Sequence, residues 1–582
     1  MTTPAGPARL PRHIDPRPPG PHEVVRLEGN AKRLTEIGRT RLLVAGALFA
    51  LAFLAVGLRL VDVMALQNGG EPRPTAALPQ LALPAERADI LDRNGVVLAT
   101  ALATASLYAN PRQVPDPAEA AARLATVLPE PSQAEIALRL SSERSFVWLK
   151  RNLTPRQQYA VNRLGIPGLY FQPEERRVYP HGPLAAHVLG FTDIDNRGLA
   201  GVEQSFDDVL RGGRHPVRLS LDIRVQYLLH EELSRAMTEF TAIGAAGIVL
   251  DAATGEVLAM ASLPDFDPNR PGAAPDDARF NRVTLGIYEM GSTFKIFNTA
   301  MALENGVAGL ADRYDARHPI RVGGFTISDY KPKSRWLTVP EIFILSSNIG
   351  SARMALDVGA DAQQAFFARI GMFRPAGIEL PEVGQPMYPA TWRPINTMTI
   401  AYGHGIAVSP LHLAAGVAAV VNGGIMRPAT IIRRAPDEVT SGERVVSAET
   451  SAQMRELMRL VVREGTGRKA DAPGYAVGGK TGTADKARGR GYSRDSRIAS
   501  FVGAFPIHAP RYVVLIMVDE PKPNESSHGY ATGGWVAAPA VSRLVQRIAP
   551  LLGVPPGDEP APEAADGLLL AAHATESAGA VE

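Results

Sequence analysis

At 582 residues, with 45% hydrophobic and 21% charged side chains, the chain is long enough for two or three domains. A formal net charge of +2 excludes the large basic excess of a nucleic-acid binder. The absence of cysteine excludes disulfides, thiolate catalysis and the common thiolate zinc sites.

The first 41 residues are rich in proline and carry Arg9, Arg12, Arg17, Arg26, Lys32, Arg33, Arg39 and Arg41 against four acids; they are expected to form a disordered tail. Leu42 to Leu58 follow without a charge, and apolar residues resume beyond Arg59 and Asp62 as far as Leu66. Residues 42–66 are therefore predicted to be a transmembrane anchor. A soluble core helix seldom stays uncharged on every face, and so long a basic leader fits a retained anchor better than a cleaved signal peptide. The basic flank predicts a cytoplasmic N-terminus and export of everything that follows.

A proline- and alanine-rich connector spans Glu71 to Glu86. From Arg87 to Ser220 the elements are short and mixed. Strand-like runs flank Asn94-Gly95, a strong hairpin signal, and Pro117 to Leu128 and Thr154 to Gly165 read as helices. No cluster of catalytic or ligating residues appears there, so residues 67–220 are expected to be a structural or interaction module.

A larger unit begins at about residue 221. "IRVQYLLHEELSRAMTEF" is an amphipathic helix, and residues 245 to 262 form a two-stranded hairpin. Helices follow, then strands return at Tyr475 to Ala484, Ala499 to Pro506 and Arg511 to Asp519. Strands, a helical block, then strands again predict an α+β (mixed α/β) fold rather than alternating βαβ units. This unit is expected to span 221–553, with 554–582 a flexible tail. Asp485 to Arg497, although basic, is expected to be a solvated loop beside the preceding strand.

Three elements in this unit carry candidate chemistry. In "EMGSTFKIF", Phe294, Phe297 and Met301 form a buried stripe, Asn305-Gly306 ends the helix, and Ser292 lies in the first turn with Lys295 one turn on. A lysine beside an apolar stripe loses solvation, its pKa falls, and it becomes able to take a proton from Ser292. In "TVPEIFILSSNIG", Thr338 and Glu341 make a capping box for a helix that ends in Ser346-Ser347-Asn348. In "GGKTGTA", Thr481 and Thr483 share one strand face with Lys480 and Gly482 opposite, and Gly482 leaves room for a substrate backbone. Each element alone is weak. Ser-x-x-Lys, Ser-x-Asn and Lys-Thr-Gly in this order are together the pattern of penicillin-binding proteins and serine β-lactamases.

The chain resembles a class B penicillin-binding protein, a peptidoglycan D,D-transpeptidase. The resemblance extends through Arg87 to Ala99, Arg176 to Phe191, Gly198 to Gly212 and Ala401 to Ala414, and so over nearly the whole chain. Ser-Ser-Asn and the "GHG" around His404 resemble the septal, cell-division branch. The resemblance implies a transpeptidase domain with a central antiparallel sheet, an elongated α+β pedestal of dimerisation type and a single anchor. It implies that Ser292 attacks the carbonyl between two terminal D-alanines and that Lys295 takes its proton. Ser346 and Lys480 would relay a proton to the departing D-alanine, and Asn348 would hold the peptide amide. Thr481, Gly482 and Thr483 would bind the substrate, and the N–H groups of Ser292 and Thr483 would form the oxyanion hole.

The implied ligands are stem peptides ending in D-Ala-D-Ala and β-lactam antibiotics. The implied partners are the bilayer of the inner membrane, a glycan-polymerising membrane protein and other division proteins. The catalytic unit would be periplasmic, with no metal, no cofactor and no nucleic acid. The family usually has proline at the positions of Met290 and Ile296, and neither position carries chemistry. An elongation-type transpeptidase, a D,D-carboxypeptidase with the same site, and a catalytically idle division scaffold are the alternatives. A β-lactamase or β-lactam sensor would not need so long a module between anchor and catalytic unit.

Overall fold

The computed structural model describes residues 28–61 and 87–557, apart from 214, 436, 437, 439, 440, 489 and 490. Most of the expected tail at 1–41, the end of the anchor at 62–66, the connector and nearly all of the expected C-terminal tail lie outside the described residues.

One helix, Glu28–Val61, contains an 18-residue apolar window, Arg41–Leu58, long and apolar enough to cross a membrane. It starts well before residue 42, so 28–41 are helical and not the disordered segment expected. The physical reason is composition: this stretch has lost the prolines of the leader, and Glu, Lys, Arg and Leu are good helix formers.

From Arg87 the chain forms a second compact unit, built on two five-stranded sheets with three smaller two-stranded ones. In the first, the long strand Val97–Ala109 pairs antiparallel with Leu169–Val178 and with Val147–Leu153. The hairpin predicted at Asn94-Gly95 is present: the Asp92 carboxylate accepts from the N–H of Asn94 and Val96 while Gly95 takes φ +89. Two distant stretches meet behind it. Arg87 and Arg177 both grip the fully buried Glu203, at 2.6 and 2.7 Å, and Arg87 also reaches Asp207 at 2.7 Å. A buried carboxylate shared by two guanidiniums is costly to break by removing one partner. The far end has its own core, in which Leu107, Leu124, Ile136 and Leu149 pack together. The near end does not: Ile90, Val188 and Val202 share one cluster with Ile248 and Leu515 of the second sheet.

That second sheet is antiparallel, in spatial order Gly478–Arg488, Gly491–Phe505, Tyr512–Asp519, Gly244–Asp251, Val257–Leu263. Every residue of Tyr512–Asp519 is buried. The strand is apolar throughout because both faces of the sheet are covered. Val513, Leu515 and Met517 face a cluster with Val417 and Val420 of the buried helix Pro410–Val421. Val514, Ile516 and Val518 face Leu229 and Leu233 of the helix Ile223–Glu239 and Leu544 of the helix Ala537–Leu551. The described residues of the basic segment Asp485 to Arg497 are strand and not loop. Their backbone continues the hairpin, with Lys486 opposite Ser493 and Ala487 opposite Tyr492. Lys486 is held by Asp519 at 2.8 Å and Glu520 at 3.0 Å, so its charge is tied to the sheet. Gly478–Arg488 is one edge strand of this sheet and Val257–Leu263 the other.

Candidate active site

Ser292 lies in a single 3-10 turn, Gly291–Phe294, that runs straight into the helix Lys295–Glu304. Gly291 has φ +57, and a Cβ there would stand 2.7 Å from the Thr483 carbonyl oxygen. The nucleophile turn therefore packs flush on the Lys-Thr-Gly strand, which only glycine permits. Lys295 emerges one turn later, as its spacing predicted, and is fully buried.

The Lys295 ammonium nitrogen has four oxygen neighbours. Nζ is 3.0 Å from Ser292 Oγ, 2.7 Å from the Ser346 carbonyl, 3.1 Å from Ser346 Oγ and 2.8 Å from Asn348 Oδ1. The face of Tyr402 lies 6.0 Å away. Burial first, then the charge of Lys480, holds Lys295 well below the usual amine range; Asp329 acts in the opposite sense. Two of the four neighbours are carbonyl oxygens, which can only accept. A neutral amine has two N–H groups for them and one lone pair left over. That lone pair can accept the hydroxyl hydrogen of Ser292.

Ser346 is brought to Lys295 by backbone geometry. The capping box of Thr338 and Glu341 starts the helix Val339–Leu345, as predicted, and Ser346 ends it in the left-handed region at φ 61. Non-glycine residues populate that region sparsely. Here it turns both the carbonyl and the hydroxyl of Ser346 toward Lys295. From the other side Lys480, also fully buried, donates to Ser346 Oγ at 3.0 Å, and burial pushes its pKa down to about 7. Ser292, Lys295, Ser346, Asn348 and Lys480 thus form one hydrogen-bonded chain. All five catalytic candidates are together.

The strand residues behave less uniformly. Thr481 Oγ1 lies 2.7 Å from Thr466 Oγ1, and Thr483 Oγ1 accepts from the Gly533 N–H at 3.1 Å. Gly482 is packed closely against its neighbours. A Cβ there would meet Ser500 Oγ at 2.4 Å, Met290 O at 2.7 Å and Thr293 Cγ2 at 2.9 Å. Its missing side chain makes room for the turn that carries Ser292 and for the next strand. Gly482→Ala is expected to cost about 1–3 kcal/mol of stability through overpacking and to slow acylation as the turn shifts. Thermal denaturation and the rate of penicillin labelling check both.

Met290 and Ile296, which replace the usual prolines, are fully buried in the main core. His404 supports the wall of the site: its Nδ1 is 3.2 Å from Glu289 Oε2, and its ring lies 5.5 Å from both Tyr402 and Tyr492. Burial opposes ionisation of Glu289, yet hydrogen bonds from His404, the Gly405 N–H and Tyr492 hold its pKa below the usual range. Four participants had no readable signal: Asp329, Tyr402, Thr466 and Glu289. Each acts across the fold on a residue far away in the chain.

The fold is that of the penicillin-binding proteins. Residues 245–546 match the penicillin binding protein transpeptidase domain, and residues 82–224 the penicillin-binding protein dimerisation domain. The chain belongs to this family. It is 45% identical to the probable peptidoglycan D,D-transpeptidase FtsI of Caulobacter vibrioides, over 80% of this chain and 82% of that one. It is 34% identical to the probable peptidoglycan D,D-transpeptidase PenA of Neisseria gonorrhoeae, over 90% and 94%. Among solved structures, penicillin binding protein 3 from Mycobacterium tuberculosis in complex with aztreonam superposes with a TM-score of 0.65 at 27% identity. That match covers 82% of this chain and 98% of the other.

Proposed function

We propose that this protein is a septal peptidoglycan D,D-transpeptidase, acting through an acyl-enzyme on Ser292. The observation that carries the reading is the fully buried Lys295 amine 3.0 Å from Ser292 Oγ, joined through Ser346 to Lys480. Lys295, neutral because it is buried, takes the Ser292 proton as Oγ attacks the carbonyl of the penultimate D-alanine. The N–H groups of Ser292 and Thr483 stabilise the oxyanion, each contributing about 3 kcal/mol. The C–N bond breaks, and a proton passes through Ser346, from the two lysines that share it, to the leaving D-alanine amine. An amine of a neighbouring stem peptide then attacks the ester, forms the crosslink and frees Ser292. Asn348 holds the donor amide, and Thr481 and Thr483 hold its terminal carboxylate. A β-lactam reacts in the same way, but its leaving nitrogen stays tethered to the acyl group, so the enzyme stalls.

The helix with the apolar window would anchor the chain in the inner membrane, the basic residues before it on the cytoplasmic side and the catalytic unit in the periplasm. Residues 87–220 would serve as the pedestal that meets a glycan-polymerising partner and other division proteins, and 221–553 as the catalytic unit. A fluorescent penicillin is expected to label the intact protein covalently, and depletion is expected to give filamentous cells. No label would remove the enzymatic reading, while rounded cells would point to lateral-wall growth instead.

A further inference from the structure

Asp329 lies on a connecting segment outside the three motifs, yet its carboxylate closes the second of them. Oδ1 accepts from the N–H of Asn348 at 2.6 Å and of Ile349 at 3.0 Å, and Oδ2 accepts from Ser347 Oγ at 2.8 Å. These N–H groups belong to the first turn of the helix Asn348–Val358, where the side chain of the cap Ser347 satisfies only Gly350. A carboxylate at that position meets unpaired donors and the positive end of the helix dipole. The neighbouring Ser328 carbonyl accepts from Asn348 Nδ2 at 3.1 Å. That bond decides which end of the Asn348 amide is oxygen, and so why Oδ1 points at Lys295 at 2.8 Å.

We propose that Asp329 is a positioning residue for acyl transfer: it holds the Ser-Ser-Asn turn against Lys295 and places a carboxylate charge within reach of that one buried amine. The proposal rests on the transpeptidase reading. The groups facing Lys295 are Ser292, Ser346 and Asn348 by hydrogen bond, the Tyr402 ring, and the charges of Lys480 and Asp329. Lys480 and Asp329 act on its proton in opposite directions. If Asp329 is neutral, the turn loses its strongest acceptor and Lys295 holds its proton less tightly.

The test is the second-order rate of acylation of the full chain by a fluorescent penicillin, measured against pH for the parent, Asp329→Asn and Asp329→Ala. Asp329→Asn keeps the shape and one acceptor, and thermal denaturation confirms that it folds. Asp329→Ala is expected to lose about 100-fold in rate, the effect of a misplacement near 1 Å, and Asp329→Asn less. The acid limb of the profile should move to lower pH in both variants, because free-base Lys295 is the reactive form. Parent rate and parent profile in both variants would overturn the proposal. A lower rate with an unmoved acid limb would also overturn it, since a purely structural role slows acylation without shifting the limb. Failure of the parent itself to acylate would instead remove the underlying enzymatic reading.

Discussion

A Ser292→Ala chain is expected to take up no covalent penicillin label while unfolding at nearly the temperature of the parent. The loss should be about 10⁶-fold, effectively to background, because no other group can form the ester. Ser346 is the one neighbouring hydroxyl, but it is shared between Lys295 at 3.1 Å and Lys480 at 3.0 Å. The hydroxyl removed is one of four oxygens around Lys295, and two carbonyls remain to hold the amine. Stability therefore changes little. Equal labelling of the variant and the parent, read on a gel, would show that the nucleophile lies elsewhere.

Lys295→Met should have the second largest effect, a loss of about 10⁴-fold in acylation. Methionine fills much of the buried volume and offers no base, so Ser292 keeps its proton. Two opposing terms act on stability: the Ser346 carbonyl and Asn348 Oδ1 each lose a donor, costing about 1–3 kcal/mol apiece, while a buried amine no longer has to be desolvated. The rate loss should thus exceed anything unfolding could cause. In the parent, acylation should rise from the acid side as the Lys295 ammonium gives up one proton and becomes the free base. It should decline above about 7, where Lys480 loses its charge. The variant should lack the acid limb. Stopped-flow acylation across pH separates the two.

Whatever depends on short range was legible in the residues. The turn that carries Ser292 and Lys295 on one face follows from an i, i+3 spacing ahead of a Phe294–Phe297–Met301 stripe. The start of Val339–Leu345 follows from Thr338 and Glu341, which cap each other within one turn. Tyr512–Asp519 follows from an apolar run covered on both sides. Asp485 to Arg497 was misread because charge suggested solvent, whereas backbone pairing with the facing strand decided its form. Gly482 in a strand announces a close approach without saying what approaches; within the fold it is Met290, Thr293 and Ser500.

From the sequence alone come the apolar stretch near the N-terminus, the mixed α+β order and the identity and order of the candidate catalytic side chains, because each is written in local spacing. The state of those side chains was decided only by the tertiary structure. Lys295 holds its proton less tightly because segments brought from 51 and 53 residues away bury it and because Lys480 lies near. Ser346 reaches two lysines only through a left-handed turn. Asp329 caps a helix it does not belong to. Burial, charge proximity and capping from outside the helix are properties of neighbours in space, which a linear pattern does not contain.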